Sequence, residues 1–250
     1  MVLAACGSGG SDTGTGNVRM LNLTRAHPSL DLLVSSSKQL SAVASYSAST
    51  YTGVTSGNNT LQVADAGTQT ALVTTAPSVA KDQYYSLLVY ESNSALKTAW
   101  LAENDTAPSS GSSNFRVFNV ATDAGALDVY VIPTSTTLAA GTSPYFVMSG
   151  TGTSQISAYL SFTPGTYQVI VTASGNQSDV RLYLSSITLA DTALTTVWGG
   201  SSKTPSIRPY WRSVMGCAPA GGLPVQGLPF CTPLKVNSSR PLNSGAFLTA

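Results

Sequence analysis

The chain has 250 residues, enough for one large domain or for two of about 100 residues that each bury a core. Charged residues make up 9% of it, where about 25% is usual, and the net charge is +1 with no run of Lys or Arg. That balance argues against a nucleic-acid partner and against electrostatic docking on anionic lipid, and no apolar run of about 18 residues is present to span a bilayer as a helix.

Leu3-Ala4-Ala5-Cys6 resembles a bacterial lipobox. Small residues before the cysteine fit a narrow peptidase site, and the Cys6 sulfur would carry the acyl chains that hold the protein on a membrane. Gly7 to Gly16 is a Gly/Ser-rich tether, so residues 1–16 read as lipobox remnant and flexible spacer. Only five residues precede Cys6, too few for a leader's positive and apolar regions, which predicts either a start upstream of Met1 or a trimmed chain. The alternative is an accidental LAAC in a disordered N-terminus. Gly7 in place of Asp after the cysteine points toward the outer membrane, facing the periplasm or the cell surface.

Strand signals begin at Val18. Val18 to Leu23 alternates, turn residues follow, and Leu30 to Val34 alternates again. Thr60 to Val63 and Tyr84 to Tyr90 have the β-branched and aromatic content of half-buried strands, and Asn58-Asn59 is a turn signal. The pattern then recurs. Asn17, Arg19, Asn22, Leu30, Asp31 and Val34 match Asn114, Arg116, Asn119, Leu127, Asp128 and Val131 at one constant offset. TLQV at Thr60 matches TYQV at Thr166 after the turn Pro164-Gly165, Val89-Tyr90 matches Val197-Trp198, and Trp100 matches Trp211. Residues 17–102 and 114–212 therefore read as two tandem antiparallel β-sandwich domains of immunoglobulin-like shape, with six to eight strands each and an all-β fold throughout. Residues 103–113 form a linker without an apolar anchor. Ser35 to Ser49 and Thr134 to Gly152 leave room for a short helix.

Residues 213–250 form a loop-rich tail with a strand expected over Leu234 to Asn237. Cys217 and Cys231 flank a Gly- and Pro-rich segment, and a disulfide there would close a loop of about 15 residues, worth about 3 kcal/mol in the chain-entropy model. Such bonds persist outside the cytosol. The alternative, a metal pair, lacks further ligands, and neither a metal nor another cofactor is expected.

The Val-Arg-x-x-Asn pattern, the turn, and Leu-Asp-x-x-Val, repeated in order from Asn17 to near Arg212, resemble the bacterial domain of unknown function 4397. Its members are commonly tandem and often lipoproteins. The resemblance implies a β-sandwich in the cell envelope and lends no catalytic residues.

Arg19 with Asp31 and Arg116 with Asp128 lie on adjacent expected strands and read as inter-strand ion pairs; the alternative is a clamp for carboxylate ligands. Asn22 and Asn119 end their strands and read as turn formers. His27 is the only histidine, no GxSxG, HExxH or phosphate loop occurs, and Glu stands only at Glu91 and Glu103, so catalysis is not expected. Eleven tyrosines and three tryptophans form the cores or, exposed, stack on sugars; the repeated pairs Tyr90/Trp198 and Trp100/Trp211 favour the core. The expected function is that of a non-catalytic, membrane-anchored envelope lipoprotein that binds or builds, with an envelope protein or a glycan as partner. Carbohydrate binding or adhesion is the first alternative and a loop-built hydrolase the second.

Overall fold

The computed structural model describes residues 14–103, 105–121, 124–150 and 154–199, together with the backbone of residues 214–217 and 231–234. Cys6, Trp211 and most of the tail lie outside the described residues.

The first half contains β1 (Thr15–Asn22), β2 (Ser29–Val34), β3 (Ser37–Ala44), β4 (Ser47–Ala48), β5 (Thr52–Thr55), β6 (Gly57–Asn58), β7 (Leu61–Asp65), β8 (Ala71–Thr75), β9 (Ser78–Val79), β10 (Tyr84–Ser92) and β11 (Ala95–Ala102). One sheet runs β11-β10-β1, with β4 and β5 both pairing β1, and the facing sheet runs β3-β2-β7-β8. The second half contains β12 (Ser113–Asn119), β13 (Leu127–Pro133), β14 (Phe146–Met148), β15 (Gln155–Ile156), β16 (Leu160–Phe162), β17 (Gly165–Ala173), β18 (Asn176–Leu189), β19 (Leu194–Gly199), β20 (Val214–Cys217) and β21 (Cys231–Leu234). Its sheets run β15-β12-β19-β20-β21, with β16 also on β12, and β14-β13-β17-β18.

Among the described residues, each half contains one parallel pair beside its antiparallel ones. β1 pairs β10 in parallel, placing Arg19 opposite Ser86 and Leu21 opposite Leu88. β12 pairs β19 in parallel, placing Arg116 opposite Thr196 and Phe118 opposite Trp198. A parallel pair needs a long crossover, and in each half the chain supplies one by building the facing sheet between the two strands. Hairpins elsewhere are tight. Ser35-Ser36 and Asn93-Ser94 all have positive φ, as a two-residue type I′ turn requires.

Three apolar clusters form among the described residues. Val18, Met20, Leu30, Leu32, Leu61, Val63, Leu87 and Val89 fill the first sandwich. Phe115, Val117, Leu127, Val129, Val169, Val171, Leu184 and Val197 fill the second. The third joins the halves: Leu21, Leu23, Leu88 and Tyr90 from the first pack with Phe118, Val120 and Trp198 from the second. Strands β1, β10, β12 and β19 are thus covered on both faces, which is why their residues are buried in nearly unbroken runs even where polar and apolar side chains alternate. Burying a Leu or Phe side chain contributes roughly 1.5–3 kcal/mol, so this seam is a core in its own right.

Among the described residues, neither segment left open for a helix holds one. Residues 35–49 carry β3 and β4, and 134–152 carry β14. Ser and Val disfavour helix in both, and Thr134, Thr136, Thr137, Gly141, Pro144 and Gly150 weaken it further in the second.

Candidate functional site

The most charged part of the interior lies beside the seam. Along β1, Val18 and Met20 enter the first sandwich while Arg19 and Leu21 face away from it, and on β10 Ser86 and Leu88 face the same way. Arg19 is 2% exposed. Its Nε donates to Ser86 Oγ at 2.7 Å, and its Nη2 donates to both Glu103 oxygens at 2.6 and 2.7 Å. Ser86 Oγ donates to Glu103 Oε1 at 2.6 Å, and Tyr51 OH donates to Glu103 Oε2. The Tyr51 ring lies under the guanidinium, 4.8 Å from Cζ, and meets Tyr84 edge-on.

The same set recurs in the second half. Arg116 Nε donates to Thr196 Oγ1 at 2.9 Å, its Nη1 stands 3.5 Å from Asp105 Oδ2, and its Cζ lies 4.2 Å from the Tyr159 ring centroid. Tyr51 directly precedes β5 and Tyr159 directly precedes β16, the strands that flank β1 and β12. Each station is therefore an arginine, an aromatic ring, a strand hydroxyl and an acid from the connecting segment. Burial, with Glu103 beside it, pushes the Tyr51 phenol well above its usual range; burial likewise raises Tyr159.

These contacts correct the expected ion pairs. Arg19 and Asp31 belong to opposite sheets, as do Arg116 and Asp128, so neither arginine reaches its expected partner. The aspartates instead hold hairpins. Asp31 Oδ1 accepts from Ala42 N at 2.7 Å, Oδ2 accepts from Gly67 N at 3.0 Å, and Lys38 Nζ closes on Oδ2 at 2.5 Å. Asp128 accepts from Ser174 Oγ at 2.9 Å and from Gly175 N at 2.8 Å. Gly67 and Gly175 have φ of 85° and 72° in equivalent turns, a conformation that favours glycine. Burial opposes the Asp31 carboxylate, yet Lys38 and the two amides outweigh it and hold its pKa below the ordinary value.

The connecting segment is anchored by acids rather than by apolar residues. Glu103 is 4% exposed and its N–H bonds Tyr84 O at 2.8 Å, while Asp105 reaches the second station. Tyr90 and Trp198 are buried as expected, but in the seam rather than in a sandwich core, and they are not equivalent. Trp198 lies opposite Phe118 as Leu88 lies opposite Leu21, a register that a sequence match cannot fix to within two residues. Trp198 Nε1 is buried and finds no acceptor among the described residues. Trp100 packs on the first core and stacks on Tyr85 at 4.8 Å.

Asn22 and Asn119 each accept the amide two residues ahead, from Thr24 and Ala121, closing turns at their strand ends. His27 Nδ1 lies 2.7 Å from Asp65 Oδ1, a surface pair that no serine hydroxyl joins among the described residues. Among those residues no cluster of three His, Cys, Asp or Glu side chains is placed to hold a metal ion. The backbone sets Cys217 directly opposite Cys231 in the β20–β21 ladder.

Sequence reasoning missed Tyr51, Ser86, Glu103, Tyr159, Thr196 and Asp105. The available signals were the two arginines without an obvious use and the rarity of Glu, which stands only at Glu91 and Glu103. Chemically, each station neutralises a buried cation: at Arg19 the hydroxyls and the acid are all engaged, while at Arg116 the half-exposed Asp105 stands 3.5 Å from the guanidinium.

Residues 16–130 match the family model described as Domain of unknown function (DUF4397). The match begins in β1 and ends in β13, so it takes in both arginine stations' acids but stops short of the span to Arg212 over which the repeated pattern runs. No curated protein matches the chain.

Proposed function

We propose, for a chain that belongs through residues 16–130 to the domain of unknown function 4397 family, a non-catalytic role as a lipid-anchored module of the bacterial envelope that binds or builds. The observation that carries this reading is the burial of both repeated arginines against partners from the same chain. The repeated residues with the most chemical capacity are buried against partners from the same chain, so they stiffen the molecule rather than meet a substrate. The two halves act as one rigid body, duplicated from a common unit, with the sheet edges and loops left to meet a partner.

The anchor is Cys6, and the Gly/Ser tether spaces it from β1. A disulfide between Cys217 and Cys231 fits the same compartment. Met215 lies opposite Pro233, which has no N–H to give the ladder, so that pair is of the non-hydrogen-bonded kind. Two residues along, Cys217 and Cys231 fall in the same class, where opposing Cα atoms lie about 4.5 Å apart, within disulfide range.

Labelling of the producing cells with radioactive palmitate tests the reading. The wild-type chain takes up label and Cys6→Ser does not. A wild type without label, or equal label in both, overturns the anchor.

A further inference from the structure

One surface of the second half is built unlike its counterpart in the first. An open groove of about 610 Å³ runs between the end strands of the two sheets, lined among others by Tyr145, Val147, Met148, Gln155, Ile156 and Leu160. Tyr145 is 50% exposed, Val147 66% and Ile156 40%, three of the five large apolar side chains that stand exposed among the described residues. Lone exposed apolar residues need no explanation, but three beside one groove mark an interaction surface.

The groove carries no charged side chain. Its polar side chains are already engaged: Ser157 Oγ accepts from Val117 N at 3.0 Å and donates to Ala158 O at 2.9 Å, and Gln155 Nε2 donates to Ser149 Oγ. Few side-chain groups are left to read the hydroxyls of a sugar. What remains is backbone. Strand β14 ends the order β14-β13-β17-β18 and pairs only with β13 among the described residues, so its other edge offers main-chain donors and acceptors.

The first half shows how such an edge is closed. There the equivalent end strand is β3, which carries Lys38, a residue with positive φ at Ala42 and shifts of register against β2. Charge and bulges of this kind keep foreign strands away. Phe146-Val147-Met148 has neither a charge nor a positive φ.

We infer that the β14 groove is a strand-docking site, and that its occupant is an uncharged, extended segment of a partner protein with apolar residues at alternate positions. Main-chain bonds to β14 supply the pairing, and Val147, Tyr145 and Ile156 select the apolar side chains. A charged segment would lose its hydration against a wall that offers no counter-charge. This inference rests on the binding-module reading above, but its test is independent of the palmitate label.

The full chain is immobilised and challenged with a displayed library of random eight-residue peptides. The wild type enriches uncharged sequences with alternating apolar residues at least about tenfold over Val147→Lys, equivalent to about 1.4 kcal/mol. Leu72→Lys, on the opposite half's end strand β8, enriches the same sequences as wild type. Because Val147 points mostly to solvent, its replacement spares the core, and an unchanged circular dichroism melt verifies this. Equal enrichment on Val147→Lys, or enrichment of charged peptides, overturns the inference. So does a concentration-dependent dimer in light scattering that Val147→Lys abolishes, which makes a second copy the occupant, or binding of neutral oligosaccharides that Val147→Lys or Tyr145→Ala removes.

Discussion

Arg19 and Glu103 close a buried, bidentate ion pair at 2.6 and 2.7 Å that fastens the first strand of the molecule to the start of the segment leading into its second half. The equivalent Arg116 meets Asp105, two residues further along the same segment, at 3.5 Å. One short stretch of chain therefore serves two duplicated stations, tightly at one and loosely at the other. The difference in burial decides their energetic weight.

Glu103→Ala strands a buried guanidinium and is expected to cost about 3–5 kcal/mol in urea unfolding. Asp105 is 41% exposed, and Asp105→Ala is expected to cost about 1 kcal/mol or less. Equal losses for the two would contradict the asymmetry.

Acid and alkali act through different groups. Asp31 has a lowered pKa, so its contribution is complete above its ordinary value of 3.8 and is lost as pH falls through its folded value. Asp31→Asn should flatten the acid limb of the stability curve. Tyr51 has a raised pKa, so its contribution is complete below its ordinary value of 10.0 and is lost as pH rises beyond it. Tyr51→Phe gives up the bond to Glu103 but should lessen the alkaline loss, as read from urea midpoints across pH.

The seam makes the two halves one cooperative unit. Trp198 is fully buried there, edge-on to Phe118 at 5.1 Å. Trp198→Ala is expected to cost about 3–5 kcal/mol and to split one calorimetric transition into two. A single, unshifted transition would show that the halves are coupled elsewhere.

Much of this was legible in the sequence, and the limits have physical causes. Alternation in Val18 to Leu23 and in Leu30 to Val34 gives the strands, and the two matched sets of residues give the repeat. The partners of Arg19 and Asp31 were not legible, because proximity in sequence places them on neighbouring strands whereas the chain sends β1 and β2 to opposite sheets. Leu21, Leu88 and Phe118 carry no mark of the seam in the sequence; nothing in a period of two distinguishes a face that meets its own sandwich from one that meets the next. The role of Glu103 required the parallel pairing of β1 with β10, a contact across most of the first half. The β14 groove follows from strand order, which sets the uncharged β14 at a sheet end where the first half has the Lys38-bearing β3.

The most direct measurement of the central claim is the intact mass of the protein extracted from its native membrane fraction, with and without reductant. The expected chain begins at Cys6, carries the added mass of acyl chains, and gains two hydrogens on reduction as Cys217 and Cys231 are released. An unmodified chain in the soluble fraction, its mass unchanged by reductant, would contradict it.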